Sequence, residues 1–250
     1  MINEKMLQDL KLLGVKPGVD LLMHSSYKSL GPGVKDIAEV IATLKEAIGK
    51  TANLLIPTLS YEQVTQDSPH FDIRHTTSCI GAITEWFRKQ PGVIRSMHPT
   101  HSVAVYGPDA EAFTAAHHQD DTPVGPNSPF RKLRDTGGQI LMLGCGLRPN
   151  TSMHGVEELA LPPYLFRHTL TYICVNWDGQ PIQLHIKRHH FENNHGDRII
   201  QRYDRIKYVL SKDALRMGKV LNANCYLIEA KAMWDAAEAV LAEDPLFFVD

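Results

Sequence analysis

A histidine and a glutamate three residues apart, in the stretch "GCGLRPNTSMHGVEE" at residues 144–158, are the side chains best suited to chemistry. If a helix begins there, His154 and Glu157 lie one turn apart and face the same site. A carboxylate that accepts a hydrogen bond from one ring nitrogen of a histidine fixes its tautomer and raises the basicity of the other nitrogen. The deprotonation of an amine requires such a base. The pair therefore indicates a general base with its orienting acid.

Two other interpretations of this pair stay open. Metal ligation is the poorer of them, because "HGVEE" is neither the H-E-x-x-H nor the H-x-x-E-H zinc motif. The spacing is also that of an ordinary helix start that carries a solvated histidine.

Two polar segments earlier in the chain are candidates for anion binding. In "MHSSYKSLGPG", residues 23–33, a strand runs into hydroxyl residues and glycines before a helix, and such a junction offers backbone N–H groups to a phosphate. It is neither a P-loop nor a dinucleotide fingerprint, so in isolation it favours a polar turn before a capped helix. In "RSMHPTHS", residues 95–102, Arg95 either binds a phosphate or carboxylate or pairs with an internal acid in a tight turn.

The segment "HHFENNHG", residues 189–196, repeats the three-residue spacing with Glu192 and His195. Glu192 is placed to hold a cationic group of a substrate. The alternative is a charged helix entrance with Asn194 as its cap.

The elements that must position these side chains alternate between strands and helices. A strand at 19–23, a helix at 37–48 and a strand ending at Pro57 form the pattern of a right-handed βαβ unit, which indicates an α/β protein. Further patterns predict an N-terminal amphipathic helix, a helix within 79–92, strands within 93–107 and 137–146, a helix from Pro108, a hairpin over 169–186 with its turn at Asp178-Gly179, helical structure over 197–218, and an amphipathic helix over 228–244.

The composition bounds the class of protein. The 250 residues, 43% hydrophobic and 22% charged, allow one large domain or two intimate ones with a sizeable core. A net charge of −2 gives no basic field for nucleic acid or an anionic membrane. The start of the chain is unlike a signal peptide, and no apolar run is long enough to span a bilayer. Four scattered cysteines form no C-x-x-C pair, so a cytoplasmic protein with free thiols is expected.

Seven motifs occur along the chain in a fixed order and spacing, which is more specific than any one of them alone. They are "VDLLMHSSYKSLG", "NLLIPTLS", "GAITEWFRKQPGVIRSMHPTHSVAVYG", "NSPFRKL", "ILMLGCG", "NTSMHGVEE" and "FENNH". With this order and spacing the sequence resembles the aminoglycoside 3-N-acetyltransferase family. The resemblance covers nearly the whole chain, from about residue 7 to "EDPLFF" near the end.

The resemblance implies a single α/β domain over residues 1–250, with mixed sheets flanked by helices and a fold distinct from that of the GNAT acetyltransferases. It implies transfer of an acetyl group from acetyl-CoA to a primary amine, typically of an aminoglycoside, with His154 as general base, Glu157 as its orienting acid and no metal. The expected partner is a small-molecule amine acceptor, and a homodimer is compatible with it. Cys145 raises a ping-pong alternative, although a small buried thiol is the favoured role.

The resemblance also implies two sets of binding residues. Coenzyme binding is expected from His24, Ser25, Ser26, Lys28, Ser29, Arg95 and Ser96. Acceptor binding is expected from Glu192, Asp67 and Thr151, with a hydroxyl or backbone N–H near Thr151 or Ser152 as oxyanion donor.

Three positions depart from the family pattern. Arg148 and Pro149 stand where members often carry an acidic residue, Asn194 stands where many have an aspartate, and Gly155 replaces a more usual apolar residue, which suggests room for a different acceptor or a looser helix start. Because a polycationic aminoglycoside needs carboxylates near it, we expect a less cationic amine acceptor. Two other classes stay open: a non-catalytic coenzyme A binder and a metal-dependent hydrolase that uses some of the thirteen histidines.

Overall fold

Short apolar strands and amphipathic helices make up the fold. The computed structural model describes residues 1–192 and 196–250. The strands in these residues are β1 (Leu21–Ser25), β2 (Leu54–Pro57), β3 (His70–Asp72), β4 (Ile94–Arg95), β5 (Val103–Tyr106), β6 (Gln139–Leu143), β7 (Phe166–Val175), β8 (Pro181–His189), β9 (Leu215–Val220) and β10 (Ala223–Glu229). The α-helices are α1 (Glu4–Leu13), α2 (Ile37–Ile48), α3 (Ala82–Phe87), α4 (Ala110–Thr114), α5 (Pro129–Asp135), α6 (Met153–Ala160) and α7 (Ala230–Glu243).

Seven of these strands form the main sheet, in the order β4-β5-β2-β1-β6-β10-β9. The central strand β1 runs parallel to both β2 and β6, whereas β5 and β10 lie antiparallel outside them. The predicted βαβ unit is therefore β1-α2-β2. Its parallel centre brings the carboxyl ends of β1, β2 and β6 to one edge of the sheet, where ligands of α/β proteins bind.

The main sheet is buried on both faces, which explains its continuous apolar strands. Adjacent residues of a strand point to opposite faces, so Ile140 and Leu141 in β6 belong to two different hydrophobic cores. Helices α1, α2 and α3 cover the Leu141 side, and α4 to α7 cover the Ile140 side. The result is a three-layer arrangement with the sheet between two helical layers.

Three of the described α-helices begin with a capping side chain. The side chains of Asn3, Asp36 and Ser128 accept hydrogen bonds from the backbone of the first turns of α1, α2 and α5. Each cap satisfies a backbone N–H that would otherwise lack a partner, a contribution of typically about 1 kcal/mol.

The second sheet has the order β3-β7-β8 and contains the predicted hairpin. Strands β7 and β8 pair in an antiparallel register from Phe166 opposite His189 to Val175 opposite Pro181. The turn lies at Asp178-Gly179 as predicted, with Gly179 at φ 80°. His189 therefore lies opposite Phe166, the first residue of β7, which follows α6 closely in the chain.

The prediction of helical structure over 197–218 is wrong. The segment holds a short 3-10 turn, Tyr203–Tyr208, and then strand β9, which is joined to β10 by Leu221 and Asn222. Leu221 has a φ of 52°, and its N–H donates to Asp9 at 2.9 Å. Pairing of β9 with β10, which itself pairs with the buried strand β6, outweighs the local helical pattern, as tertiary context routinely does.

The predicted fold class, an α/β protein with mixed sheets flanked by helices, is confirmed by these sheets and layers. Among the described residues, no helix is long and apolar enough to cross a membrane.

Candidate active site

Helix α6 carries the predicted base and its acid in its first turns. It follows Ser152, whose hydroxyl accepts from the indole N–H of Trp234 in α7 at 2.9 Å. Gly155 is buried against the same indole ring, and a Cβ at this position would overlap it. The absent side chain therefore makes room for Trp234 and not for an acceptor, which corrects the interpretation of Gly155 from the sequence.

His154 and Glu157 form the centre of a hydrogen-bonded network. Nδ1 of His154 lies 2.8 Å from the Tyr203 hydroxyl and 3.3 Å from Oε2 of Glu157. The Tyr203 hydroxyl donates to the same Oε2 at 2.6 Å, and the Tyr164 hydroxyl donates to Oε1 at 2.9 Å. Every donor has an acceptor when Nδ1 carries the proton, so this network assigns the free lone pair to Nε2.

The electrostatics keep this imidazole neutral. Burial lowers the pKa of His154 below its ordinary value of 6.5, and the hydrogen bond to Glu157 opposes that shift in part. The Glu157 side chain has no solvent exposure, and its two tyrosine donors compensate the buried carboxylate. A neutral histidine whose conjugate acid is stabilised by a fixed carboxylate has the properties that a general base needs at neutral pH.

A cavity of about 680 Å³ opens in front of His154. It lies at the carboxyl ends of the parallel strands, with His24 and Ser25 from β1, Pro57 from β2 and Cys145 just after β6 among its lining residues. Thr151, Tyr203 and His189 complete the wall around the base. Its volume is in the range of pockets that take small molecules.

The cavity brings together some of the predicted coenzyme residues. His24 and Ser25 line it, whereas Ser26, Lys28 and Ser29 are not among its described lining. His24 is buried with no hydrogen-bond partner for Nε2 in the described chain, and burial lowers its pKa to about 3. It is therefore a neutral ring with a polar atom available to a ligand.

Arg95 and Ser96 lie outside the cavity lining, in the packed core beneath it. The Arg95 guanidinium donates to the carbonyl oxygens of Thr58 and Thr76 at 2.8 and 2.6 Å and to the Ser102 hydroxyl at 2.8 Å. The Ser96 hydroxyl lies 2.8 Å from a ring nitrogen of His117 and accepts from the N–H of Val103. These bonds join loops and strands of the protein, so both residues stay outside the coenzyme site proposed below.

The predicted acceptor residues are distributed differently. Thr151 lines the cavity beside His154. Asp67 is exposed in the loop before β3, and Glu192 pairs with His190 at 2.8 Å, so neither belongs to the described lining. Asn194 and His195 lie outside the described residues.

Four residues of the site were not assigned a role from the sequence: His101, Tyr164, His189 and Tyr203. His101 stands in "HPTHS", a stretch already marked as dense in polar groups, and it lines the cavity. His189 and Tyr203 reach the site only through the hairpin and the chain that follows it, whereas Tyr164 lies just before the hairpin, seven residues after Glu157. No spacing rule connects these three to His154.

Cys145 lines the cavity as a thiol. Burial raises its pKa to about 12, so the thiolate is scarce at neutral pH. This argues against an acetyl-cysteine intermediate and agrees with the sequence interpretation of a small buried thiol.

The charged lining of the cavity is basic. Arg148, Arg188 and Arg198 lie on its wall, and the described lining contains no carboxylate. The Arg188 guanidinium donates to the Tyr61 carbonyl oxygen at 3.0 Å, whereas Arg148 is exposed at the entrance to α6. Guanidinium groups of this kind suit phosphate and carboxylate ligands.

The sequence model of aminoglycoside 3-N-acetyltransferases matches residues 22–242. Aminoglycoside N(3)-acetyltransferase IV of Salmonella is 31% identical over 242 residues, which is 95% of this chain and 86% of that protein. A histidine-to-alanine mutant of aminoglycoside acetyltransferase AAC(3)-IVa, crystallised with a gentamicin, has a TM-score of 0.81 at 29% identity and covers 98% of this chain and 90% of its own. AAC-VIa bound to sisomicin has a TM-score of 0.81 at 26% identity, with 97% of this chain and 98% of that chain covered.

Proposed function

The chain belongs to the aminoglycoside 3-N-acetyltransferase family, and we propose that it transfers an acetyl group from acetyl-CoA to a primary amine of an aminoglycoside or a related amino-sugar compound. The observation that carries this proposal is the neutral His154, fixed through Nδ1 by Tyr203 and Glu157 at the wall of the cavity. The family resemblance inferred from the sequence is confirmed by the match over most of the chain.

The base acts first on the acceptor. An alkyl ammonium has a pKa of roughly 10 and is mostly protonated at neutral pH. Nε2 of His154 takes a proton from the amine as its nitrogen attacks the thioester carbonyl carbon, and Glu157 stabilises the imidazolium that forms. The new C–N bond forms, the C–S bond breaks, and the imidazolium of His154 gives its proton to the coenzyme A thiolate that leaves. The other proton of the original ammonium goes to solvent.

The cavity supplies the remaining roles. Thr151 lies beside the base, and its hydroxyl is our candidate donor to the carbonyl oxygen that becomes negative in the tetrahedral intermediate. His24 and Ser25, at the end of β1, are the proposed contacts for acetyl-CoA, and His24 brings an unpartnered Nε2 to that place. Holding both substrates in one cavity lowers the entropic part of the barrier.

A screen of amines with acetyl-CoA, read by thiol release, tests the proposal. We expect transfer to at least one amine, with gentamicin, sisomicin and glucosamine among those tried. His154→Ala should abolish transfer and leave acetyl-CoA binding, measured by calorimetry, nearly unchanged. If His154→Ala loses acetyl-CoA binding, the assignment of the base is wrong; if no amine supports thiol release, the chain is a coenzyme binder without transferase activity.

The basic lining favours a second candidate, an acyltransferase for an amine with few positive charges. Arg148, Arg188 and Arg198 attract coenzyme phosphates but repel an acceptor with several ammonium groups, and the described lining offers no carboxylate to hold one. This candidate predicts a higher kcat/KM for glucosamine than for gentamicin.

Charge reversal at the exposed Arg148 separates the two candidates. If the arginines repel a polycationic acceptor, Arg148→Glu should raise kcat/KM for gentamicin about fivefold. That factor corresponds to an electrostatic contribution of roughly 1 kcal/mol, which is typical of a solvent-exposed charge pair. Lys50→Glu makes the same charge change at an exposed position just after α2 and serves as the matched control. A wild-type enzyme that acetylates gentamicin more efficiently than glucosamine contradicts the second candidate.

A further inference from the structure

Three histidine rings from distant parts of the chain lie together, and one of them is the proposed base, His154. His101 precedes β5, His154 lies in α6 and His189 ends β8. Their ring centroids are 4.9 Å apart for His154 and His189, 5.3 Å for His101 and His189, and 5.6 Å for His101 and His154. Each ring offers one nitrogen, and these nitrogens lie within 4.8 Å of one another.

The opposite nitrogen of each ring is held by the protein. Nδ1 of His101 lies 2.9 Å from the Thr100 hydroxyl, and Nδ1 of His154 lies 2.8 Å from the Tyr203 hydroxyl. Nε2 of His189 lies 2.8 Å from Oε1 of Glu158, and both side chains are only 2% exposed. Metal-binding histidines are oriented in this way, by a hydroxyl, carbonyl or carboxylate behind the ring.

Nδ1 of His189 is the third candidate ligand atom of the cluster. It is buried and has no hydrogen-bond partner in the described part of the chain. In the neutral ring, donation from Nε2 to Glu158 leaves the lone pair on Nδ1. A buried polar atom without a partner costs free energy unless something binds it, and this atom belongs to the histidine cluster.

We propose that His101, His154 and His189 form a zinc site, and that Zn²⁺ bound there inhibits the enzyme by occupying the free nitrogen of the base. Imidazole nitrogens suit Zn²⁺ and not the hard cations Mg²⁺ and Ca²⁺. Three histidines leave a fourth tetrahedral position for a water from the cavity. With Zn–N distances of roughly 2.0–2.1 Å the three nitrogens would stand about 3.4 Å apart, so nitrogens that lie within 4.8 Å of one another need to approach by at most about 1.4 Å.

Zinc binding is independent of the proposed function, whereas inhibition rests on it. A zinc ion on Nε2 of His154 removes the lone pair that must accept the proton of the amine. Inhibition is therefore expected to be reversible by chelation and competitive with the amine.

Titration of chelator-treated protein with Zn²⁺, followed by calorimetry, tests the site directly. We expect one ion per chain. His101→Asn and His189→Asn should each weaken zinc binding more than about tenfold, because each removes one of three ligands. The matched control is His185→Asn, an exposed histidine on the same strand as His189, which should bind zinc as the wild type does. Far-ultraviolet circular dichroism and acetyl-CoA binding show which variants are folded.

The cobalt ion gives a second readout that does not depend on activity. Co²⁺ in a tetrahedral three-histidine site should produce visible absorption bands, and His189→Asn should lose them while His185→Asn keeps them. Zinc affinity that is unchanged in both folded ligand variants, or an enzyme that transfers acetyl groups at full rate with zinc bound, would overturn the proposal. A protein that binds zinc through these residues but transfers to no amine contradicts the proposed function and retains the site.

Discussion

Replacement of Tyr203 by phenylalanine isolates what the hydroxyl behind the base contributes. Tyr203 touches both members of the pair, at 2.8 Å from Nδ1 of His154 and 2.6 Å from Oε2 of Glu157. In Tyr203→Phe, only the long 3.3 Å contact between the imidazole and the carboxylate remains. The base then loses its fixed orientation and part of the stabilisation of its protonated form.

The size of the effect follows from the type of bond. A hydrogen bond to a charged group contributes about 1.5–3 kcal/mol. Since about 1.4 kcal/mol corresponds to a factor of ten, kcat should fall roughly 10- to 150-fold. The KM for acetyl-CoA should change less than about twofold, because the proposed coenzyme contacts at His24 and Ser25 are untouched.

Tyr164→Phe is the matched control. The Tyr164 hydroxyl donates to the other oxygen of the same buried carboxylate, at 2.9 Å, and makes no hydrogen bond to His154 among the described contacts. Both variants should lose a similar free energy of unfolding, about 1.5–3 kcal/mol, measured by urea denaturation. Only Tyr203→Phe should lose most of its kcat. Equal losses of kcat in the two variants, or full kcat in Tyr203→Phe, would refute the positioning role.

Three further predictions concern the base, the core and the helix contact. In chelator-treated enzyme, an NMR titration should find the pKa of His154 below 6.5, because burial lowers it, and activity should be lost below that pKa since the protonated ring accepts no proton; a His154 pKa at or above 6.5 contradicts this. Arg95→Lys should lower the free energy of unfolding by about 2 kcal/mol or more, because an ammonium cannot match the planar guanidinium that donates to three buried oxygens. The KM for acetyl-CoA should be unchanged, and a raised KM would show that Arg95 belongs to the coenzyme site. Gly155→Ala should destabilise the protein by about 1–3 kcal/mol in denaturant titrations because its Cβ overlaps Trp234, whereas Gly33→Ala meets only ordinary contacts; equal stability of the two variants contradicts the packing argument.

The parts of the fold with a strong local signal could be predicted from the sequence. The βαβ unit through α2, the hairpin turn at Asp178-Gly179 and the amphipathic helix α7 all appear as their periodicity and turn residues indicate. The local pattern of segment 197–218 favours a helix, but β9, which begins within it, is a strand because it pairs with β10 beside β6. That pairing is a property of the folded chain and not of the local sequence.

The candidate site divides in the same way. The pair His154 and Glu157 is local, three residues apart on one helix, and its geometry follows from helix spacing. The hydroxyl of Tyr203 and the ring of His189 reach the pair from 49 and 35 residues further along the chain, and no spacing rule predicts such contacts. The charge of Arg95 suggested a phosphate ligand, but its guanidinium donates to three oxygens of the protein itself. The sequence motif cannot distinguish an arginine that binds a ligand from one that holds loops of the protein together.

The contact between α6 and α7 has a consequence for how the enzyme is made. The base is synthesised at residue 154, but Trp234, which packs behind its helix, is added 80 residues later. At translation rates of about 5–20 residues per second, roughly 4–16 seconds separate the two. During that interval the nascent chain carries His154 without the indole ring that packs against its helix. The packing behind α6 is therefore complete only after residue 234 has been synthesised.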